Sequence, residues 1–150
     1  MRDHYFDEIQ AWYVVFLKRA LPRTRLIHWF VCSEFAHVIM VRENPKGGSI
    51  VINPSDWGTS VRFIEETPEE YLTIMAPHST AILSYVADYR RCVQYRFRGV
   101  YTCVTLCKTI LGVWGCWSQF PKGLYKFLLK RGGTTIVKAY IPYLPKAVIV

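Results

Sequence analysis

The sequence of 150 residues has no long apolar run that is free of charge. Its longest apolar stretch, residues 100–117, is interrupted by Lys108 and diluted by small and polar residues, so it does not predict a membrane span. Glycine-rich phosphate-binding loops, internal repeats and low-complexity segments are also missing. What remains is a chain that is 51% hydrophobic and of the usual length for one folded domain with its own core.

Signatures of disulfides and of metal sites are equally weak. The chain has an odd number of cysteines, which are Cys32, Cys92, Cys103, Cys107 and Cys116. Its first residues lead into an amphipathic segment that contains acids, unlike a secretory signal peptide, so we expect a reducing compartment. The spacing of the last three cysteines matches no common zinc pattern, and no histidine pair is nearby. We therefore expect neither a metal nor any other cofactor.

Positive charge exceeds negative charge along the chain. Lys and Arg number 19 and Asp and Glu number 11, which gives a formal net charge of +8. This balance favours an anionic partner, whether nucleic acid, anionic lipid or an acidic protein surface. The basic residues are scattered, as they are on an ordinary solvated surface. They lack the aromatic interleaving or the motif that is typical of a nucleic-acid-binding module, so we give that function less weight than the two described below.

Hydrophobic periodicity predicts an α+β fold in which an antiparallel sheet packs against helices. Short strands precede most of the helices, and the strict strand–helix alternation of a parallel sheet is absent. The predicted helices are residues 4–20, a short helix between Thr67 and Pro77, a helix that begins at Cys103, and residues 119–130; the predicted strands are residues 26–32, 37–43, 49–53, 60–65 and 92–97. Residues 79–91 fit either type.

The domain is predicted to span residues 1–133, and residues 134–150 form an apolar C-terminal arm. The arm has only two charged residues, Lys138 and Lys146, and its two prolines disfavour a long helix or a central strand. Because so much apolar surface in water favours aggregation, we expect the arm to be buried. Part of it should lie on its own domain and part on another subunit of an assembly.

Cys103 is the first candidate functional residue, because it directly follows a threonine that can cap a helix. Apolar residues continue at helical spacing, and Gly112 ends the run. A thiol in the first turn of a helix lies near the positive end of the helix dipole, which lowers its pKa and favours the nucleophilic thiolate. The alternative is a small, inert cysteine in the core.

A cysteine nucleophile needs a histidine base and a polar group that orients the histidine. His37 opens the strand of residues 37–43, and Asn53 ends the next strand, so the hairpin could bring them together on one face of the sheet. His28 is the second candidate base. The alternatives are a hydrogen-bonded histidine at a strand end for His37 and a turn residue for Asn53.

The order of these residues resembles that of the circularly permuted NlpC-type, papain-like cysteine hydrolases. In both, a histidine that opens a strand and a polar residue on the next strand precede a cysteine at a helix start. The Cys103 segment, followed by Pro121 at the start of another helix, is also similar to small proteins of tailed bacteriophages. The resemblance covers residues 28–133 and implies Cys103 as nucleophile, His37 as base and Asn53 as the orienting group.

The resemblance further implies hydrolysis of a peptide or peptidoglycan amide through a thioester, in a virion-associated tail or connector protein made in the host cytoplasm. The arm would then contact other virion proteins. A second hypothesis is a catalytically inactive structural or interaction protein of the particle with the same fold. The third is the basic nucleic-acid-binding module considered above.

Overall fold

The computed structural model describes residues 10–18, 34–55, 58–87, 102–113 and 115–138. Within these ranges it contains three α-helices, a short 3₁₀ turn and one sheet. The strands are β1 (Gln10–Leu17), β2 (His37–Glu43), β3 (Ser49–Ser55), β4 (Gly58–Ile64), β5 (Ser79–Ala87) and β6 (Thr134–Lys138); the helices are α1 (Pro68–Met75), α2 (Cys103–Leu111) and α3 (Pro121–Lys130), and the 3₁₀ turn is Ala76–His78.

All six strands belong to a single sheet in the order β4-β3-β2-β1-β5-β6. Every neighbouring pair is antiparallel. The predicted α+β class and the antiparallel sheet are therefore confirmed. The predicted hairpin between β2 and β3 is also present, and its turn is closed by hydrogen bonds between Asn44 and Gly48 and between Gly47 and Asn44.

The sheet buries a hydrophobic cluster on each of its two faces, because successive side chains of a strand point to opposite sides. The first face packs against α2 and α3, and the second face packs against α1. The first-face cluster includes Val14, Phe16, Val38, Met40 and Leu83 with Val104, Cys107, Leu111, Leu124 and Leu128 from the helices. The second-face cluster includes Val15, Ile39, Val41, Val51 and Ile82 with Leu72 of α1.

The structure contradicts the predicted helix over residues 4–20 in the part that it describes, since Gln10–Leu17 is strand β1. β1 lies at the centre of the sheet, and Val14, Val15 and Phe16 are all fully buried. A strand that is buried on both faces has a continuous apolar run rather than an alternating one. The spacing of apolar residues in this segment therefore matched a helix by coincidence.

Side chains at the helix ends cap α1 and α2, and the caps of α2 are the predicted ones. Thr67 and Glu70 form a reciprocal capping box at the start of α1, and Pro68 occupies its first turn. The backbone hydrogen bond from Thr67 holds the pKa of the exposed Glu70 carboxyl below its usual value. Helix α2 begins with Thr102 as its cap and ends at Gly112, which adopts a left-handed conformation with φ of 61°.

The remaining predictions concern segments whose type or bounds the structure settles only in part, or that lie outside the described residues. The segment of residues 79–91, which fits either a helix or a strand, is strand β5 as far as Ala87. Strand β4 begins at Gly58, two residues before the predicted strand at residues 60–65. The first five residues of the predicted arm form β6, which pairs with β5 at one edge of the sheet. The predicted strands at residues 26–32 and 92–97 and the rest of the arm, residues 139–150, lie outside the described residues.

Candidate functional site

His37 and Asn53 are in direct contact, as the hairpin between β2 and β3 predicted. The ring Nε2 of His37 lies 2.7 Å from Oδ1 of Asn53. The amide oxygen can only accept, so in this contact the His37 ring donates through Nε2. This arrangement is expected of a polar residue that orients a catalytic histidine. It is equally expected of two polar side chains at a strand end that satisfy each other's hydrogen bonding.

Cys103 begins helix α2, as predicted from the capping threonine. Thr102 accepts a hydrogen bond from the backbone N–H of Thr105, so the first turn is well formed. The Cys103 side chain is half-buried and packs against the first-face cluster. One turn later Cys107 is fully buried, and its pKa is raised well above the usual value by burial and then by the electrostatic effect of the neighbouring Cys103.

The sheet separates Cys103 from the pair formed by His37 and Asn53. His37 lies directly opposite Leu17 in the β1–β2 ladder, and Leu17 packs against the second-face cluster. Asn53 lies two residues after Val51, which belongs to the same cluster, so it points to the second face too. Helix α2 covers the first face. The fold therefore gives no support to the predicted contact between Cys103 and His37. The second candidate base, His28, lies outside the described residues.

The helices on the two faces carry opposite charge. The charged residues next to and within α1 in the sequence are Glu65, Glu66, Glu69 and Glu70. Two cations also lie near this helix, since Arg62 of β4 is close to Tyr71 and Lys18 donates a hydrogen bond to the carbonyl of Pro77. On the first face, the segment of residues 102–138 has no aspartate or glutamate, and its charged residues are Lys108, Lys122, Lys126, Lys130, Arg131 and Lys138. We call the surface formed by α3 and the loop before it the basic side, because every charged residue of that segment is basic.

Helix α3 concentrates the basic charge in a row along one side. Lys122, Lys126 and Lys130 are spaced four residues apart and are exposed, and we call them the lysine row. They lie on the side of the helix opposite the buried Leu124 and Leu128, so they point away from the sheet. At about 1.5 Å of rise per residue, the row extends about 12 Å along the helix axis.

The loop that leads into α3 carries large exposed aromatic side chains shortly before the lysine row in the sequence. Trp117 is 93% exposed and Phe120 is 52% exposed. Arg131, at the other end of the helix, lies with its guanidinium 5.3 Å from the ring centroid of Phe127. The basic side therefore combines aromatic and cationic groups, contrary to the expectation that the basic residues lack aromatic neighbours.

A signal for this surface is present in the sequence but is hidden by counting charge over the whole chain. Residues 89–150 contain 11 basic residues and no acidic one, whereas residues 1–88 contain 8 basic and 11 acidic residues. All of the positive excess thus belongs to the second part of the chain.

The three free cysteines that the structure describes, Cys103, Cys107 and Cys116, form no metal-binding cluster with histidines or acids of the described ranges.

Comparison of the chain with protein-family models, with curated proteins and with solved structures finds no match. Among the residues that the structure describes, no helix is both long and apolar enough to span a membrane.

Proposed function

We propose that this protein binds nucleic acid through the basic side of the molecule. The observation that carries the proposal is the lysine row, which stands on a firmly packed helix within a segment free of acidic residues. Exposed lysines with no acid on their own segment keep a positive potential that attracts polyanions. Since phosphates on one strand of a duplex are about 3.4 Å apart along its axis, a row of about 12 Å spans three to four of them.

The packing of α3 favours nucleic acid over an anionic membrane as the partner. A helix that lies on a membrane surface inserts its apolar side between lipid headgroups. In α3 that side is Leu124 and Leu128, which are fully buried against the first face of the sheet. The exposed side of α3 presents the lysine row on a rigid support, with Leu129 as its one exposed large apolar side chain, and the row suits the regular charges of a phosphate backbone.

The hydrolase hypothesis and its permuted papain-like architecture stay predictions that rest on the family resemblance. So do a role in a virion, contacts with other virion proteins and a peptide or peptidoglycan substrate. We do not extend the proposed function to them, because Cys103 and His37 belong to different faces of the sheet.

Measurement of nucleic-acid affinity for a lysine-row variant tests the proposal. Fluorescence anisotropy with a labelled oligonucleotide of about 20 nucleotides compares the wild-type protein with the triple variant Lys122→Gln/Lys126→Gln/Lys130→Gln. Each phosphate contact releases about 0.7 counterion from a single strand, so the loss of three contacts at 0.1 M salt lowers affinity by up to about a hundredfold. Circular dichroism and thermal unfolding confirm that the variant is folded.

The matched control is the triple variant Lys18→Gln/Lys46→Gln/Arg62→Gln, which removes the same charge at exposed positions away from α3. We expect it to bind within a fewfold of the wild type. The proposal is overturned if both triple variants lose affinity equally, if neither does, or if the wild-type protein binds anionic vesicles but no oligonucleotide.

A further inference from the structure

Trp117 is the most exposed large hydrophobic side chain among the described residues, although the loop around it is well fixed. It is 93% exposed and comes shortly before α3, at one end of the lysine row. Nearly the whole indole ring is thus accessible, and tryptophan is enriched at binding interfaces because it combines a large apolar ring with a polar N–H. The fold therefore keeps an aromatic plane available beside a line of positive charge.

The loop is fixed by Lys108, which projects from α2. Its ammonium group donates a hydrogen bond of 2.7 Å to the carbonyl of Cys116 and another to the carbonyl of Ser118. These two residues flank Trp117, so the backbone on both sides of the tryptophan is tied to the helix. Hydrogen bonds from a charged donor are stronger than those between neutral groups, which makes this an effective attachment.

A second contact fixes the loop against the first turn of α3. The backbone N–H of Phe120 donates to Oγ of Ser118 over 3.2 Å. Ser118 also packs so closely on Gly123 that a Cβ at position 123 would lie 1.9 Å from its Oγ. The position of Trp117 relative to the lysine row is thus set by contacts on both helices.

We propose that Trp117 stacks on an unpaired base, so that the nucleic acid bound by the lysine row is single-stranded. This inference rests on the proposed function. The lysines would follow the phosphates, and the indole would offer its face to a base at the end of the row. Only an unpaired base presents a free face, because duplex bases stack on one another. Stacking of this kind raises affinity by about 5- to 150-fold per aromatic residue and does not depend on the base sequence.

Paired substitutions at position 117 test the stacking contact. Trp117→Leu keeps an apolar side chain but removes the aromatic face, whereas Trp117→Phe keeps an aromatic face. Each is measured by anisotropy with a single-stranded oligothymidine of 20 nucleotides and with a 20-base-pair duplex. We expect Trp117→Leu to lose at least about fivefold in single-strand affinity with its duplex affinity unchanged, and Trp117→Phe to keep most of the single-strand affinity.

Phe63→Leu is the control for the loss of an exposed aromatic ring elsewhere, since Phe63 is 71% exposed on the edge strand β4. It should leave both affinities unchanged. The inference is overturned if Trp117→Leu binds single strands as the wild type does, if leucine and phenylalanine behave alike, or if single-strand and duplex affinities fall together.

The two proposals can fail separately. If the lysine-row variant loses binding while Trp117→Leu keeps the single-strand affinity of the wild type, nucleic-acid binding stands and base stacking falls. If the wild-type protein binds neither probe, both proposals fall. A third outcome is that the wild-type protein binds vesicles of phosphatidylserine and phosphatidylcholine but no oligonucleotide, and that Trp117→Leu abolishes the vesicle binding. This outcome assigns the tryptophan to a membrane surface and overturns both proposals.

Discussion

The close contact between Gly123 and Ser118 gives a sharp test of how the loop before α3 is held. Replacement of glycine by alanine inside a helix normally stabilises it by up to about 1 kcal/mol. Here the added Cβ would lie 1.9 Å from Oγ and 2.3 Å from Cβ of Ser118, so the loop must move. Forcing an extra carbon into a packed contact costs about 1–3 kcal/mol. Gly123→Ala should therefore lower the free energy of unfolding by up to about 2 kcal/mol.

The same substitution should change sign when Ser118 has no side chain. In a Ser118→Gly background the clashing atoms are gone, and the nearest remaining atom, Cα of residue 118, is 3.8 Å away. Gly123→Ala then keeps only its helix-forming advantage. Urea unfolding of the wild type, both single variants and the double variant gives a coupling free energy, which we expect to be about 1–3 kcal/mol. A coupling below about 0.5 kcal/mol would mean that the loop does not rest on α3, and the placement of Trp117 would lose its basis.

Three further predictions concern the cysteine, the arm and the first helix. A thiol probe near neutral pH should label Cys103 at the same rate in the wild type and in His37→Ala, because the sheet separates the two; at least a fivefold slower rate in the variant would restore the hydrolase hypothesis. Truncation after Gly133 should give a lower urea midpoint than truncation after Lys138, because only the shorter protein lacks β6 in the sheet; equal midpoints would contradict this. Thr67→Ala should cost about 1 kcal/mol at neutral pH and less in acid, where the glutamate of the capping box is protonated; a pH-independent cost would show that this carboxylate takes no part.

Local signals in the sequence were sufficient for the elements that depend on them. Thr67 and Thr102 mark helix starts through their own side chains, and Asn44 to Gly48 forms a turn that sets the register of β2 and β3. That register in turn brings His37 to Asn53. These contacts involve residues that are close in sequence or joined by one tight turn, so pattern reasoning reaches them.

Long-range packing determines the features of the fold that local sequence patterns could not predict. Whether α2 covers the face of His37 or the opposite one depends on the contacts of the whole helix, and no residue near Cys103 encodes that choice. Strand β1 was mistaken for a helix because its central place in the sheet removes the alternation of a half-buried strand. The lysine row was missed for a different reason, since the helix was predicted but its charges were counted with those of the entire chain.

The salt dependence of oligonucleotide binding tests the central claim most directly. The logarithm of the association constant falls linearly with the logarithm of salt concentration, and each phosphate contact on a single strand contributes about 0.7 to the slope. If the lysine row contacts three phosphates, the slope of the triple glutamine variant should be smaller in magnitude than that of the wild type by about 2. Equal slopes for the two proteins, or no binding by the wild type at low salt, would contradict the proposal that the basic side binds nucleic acid.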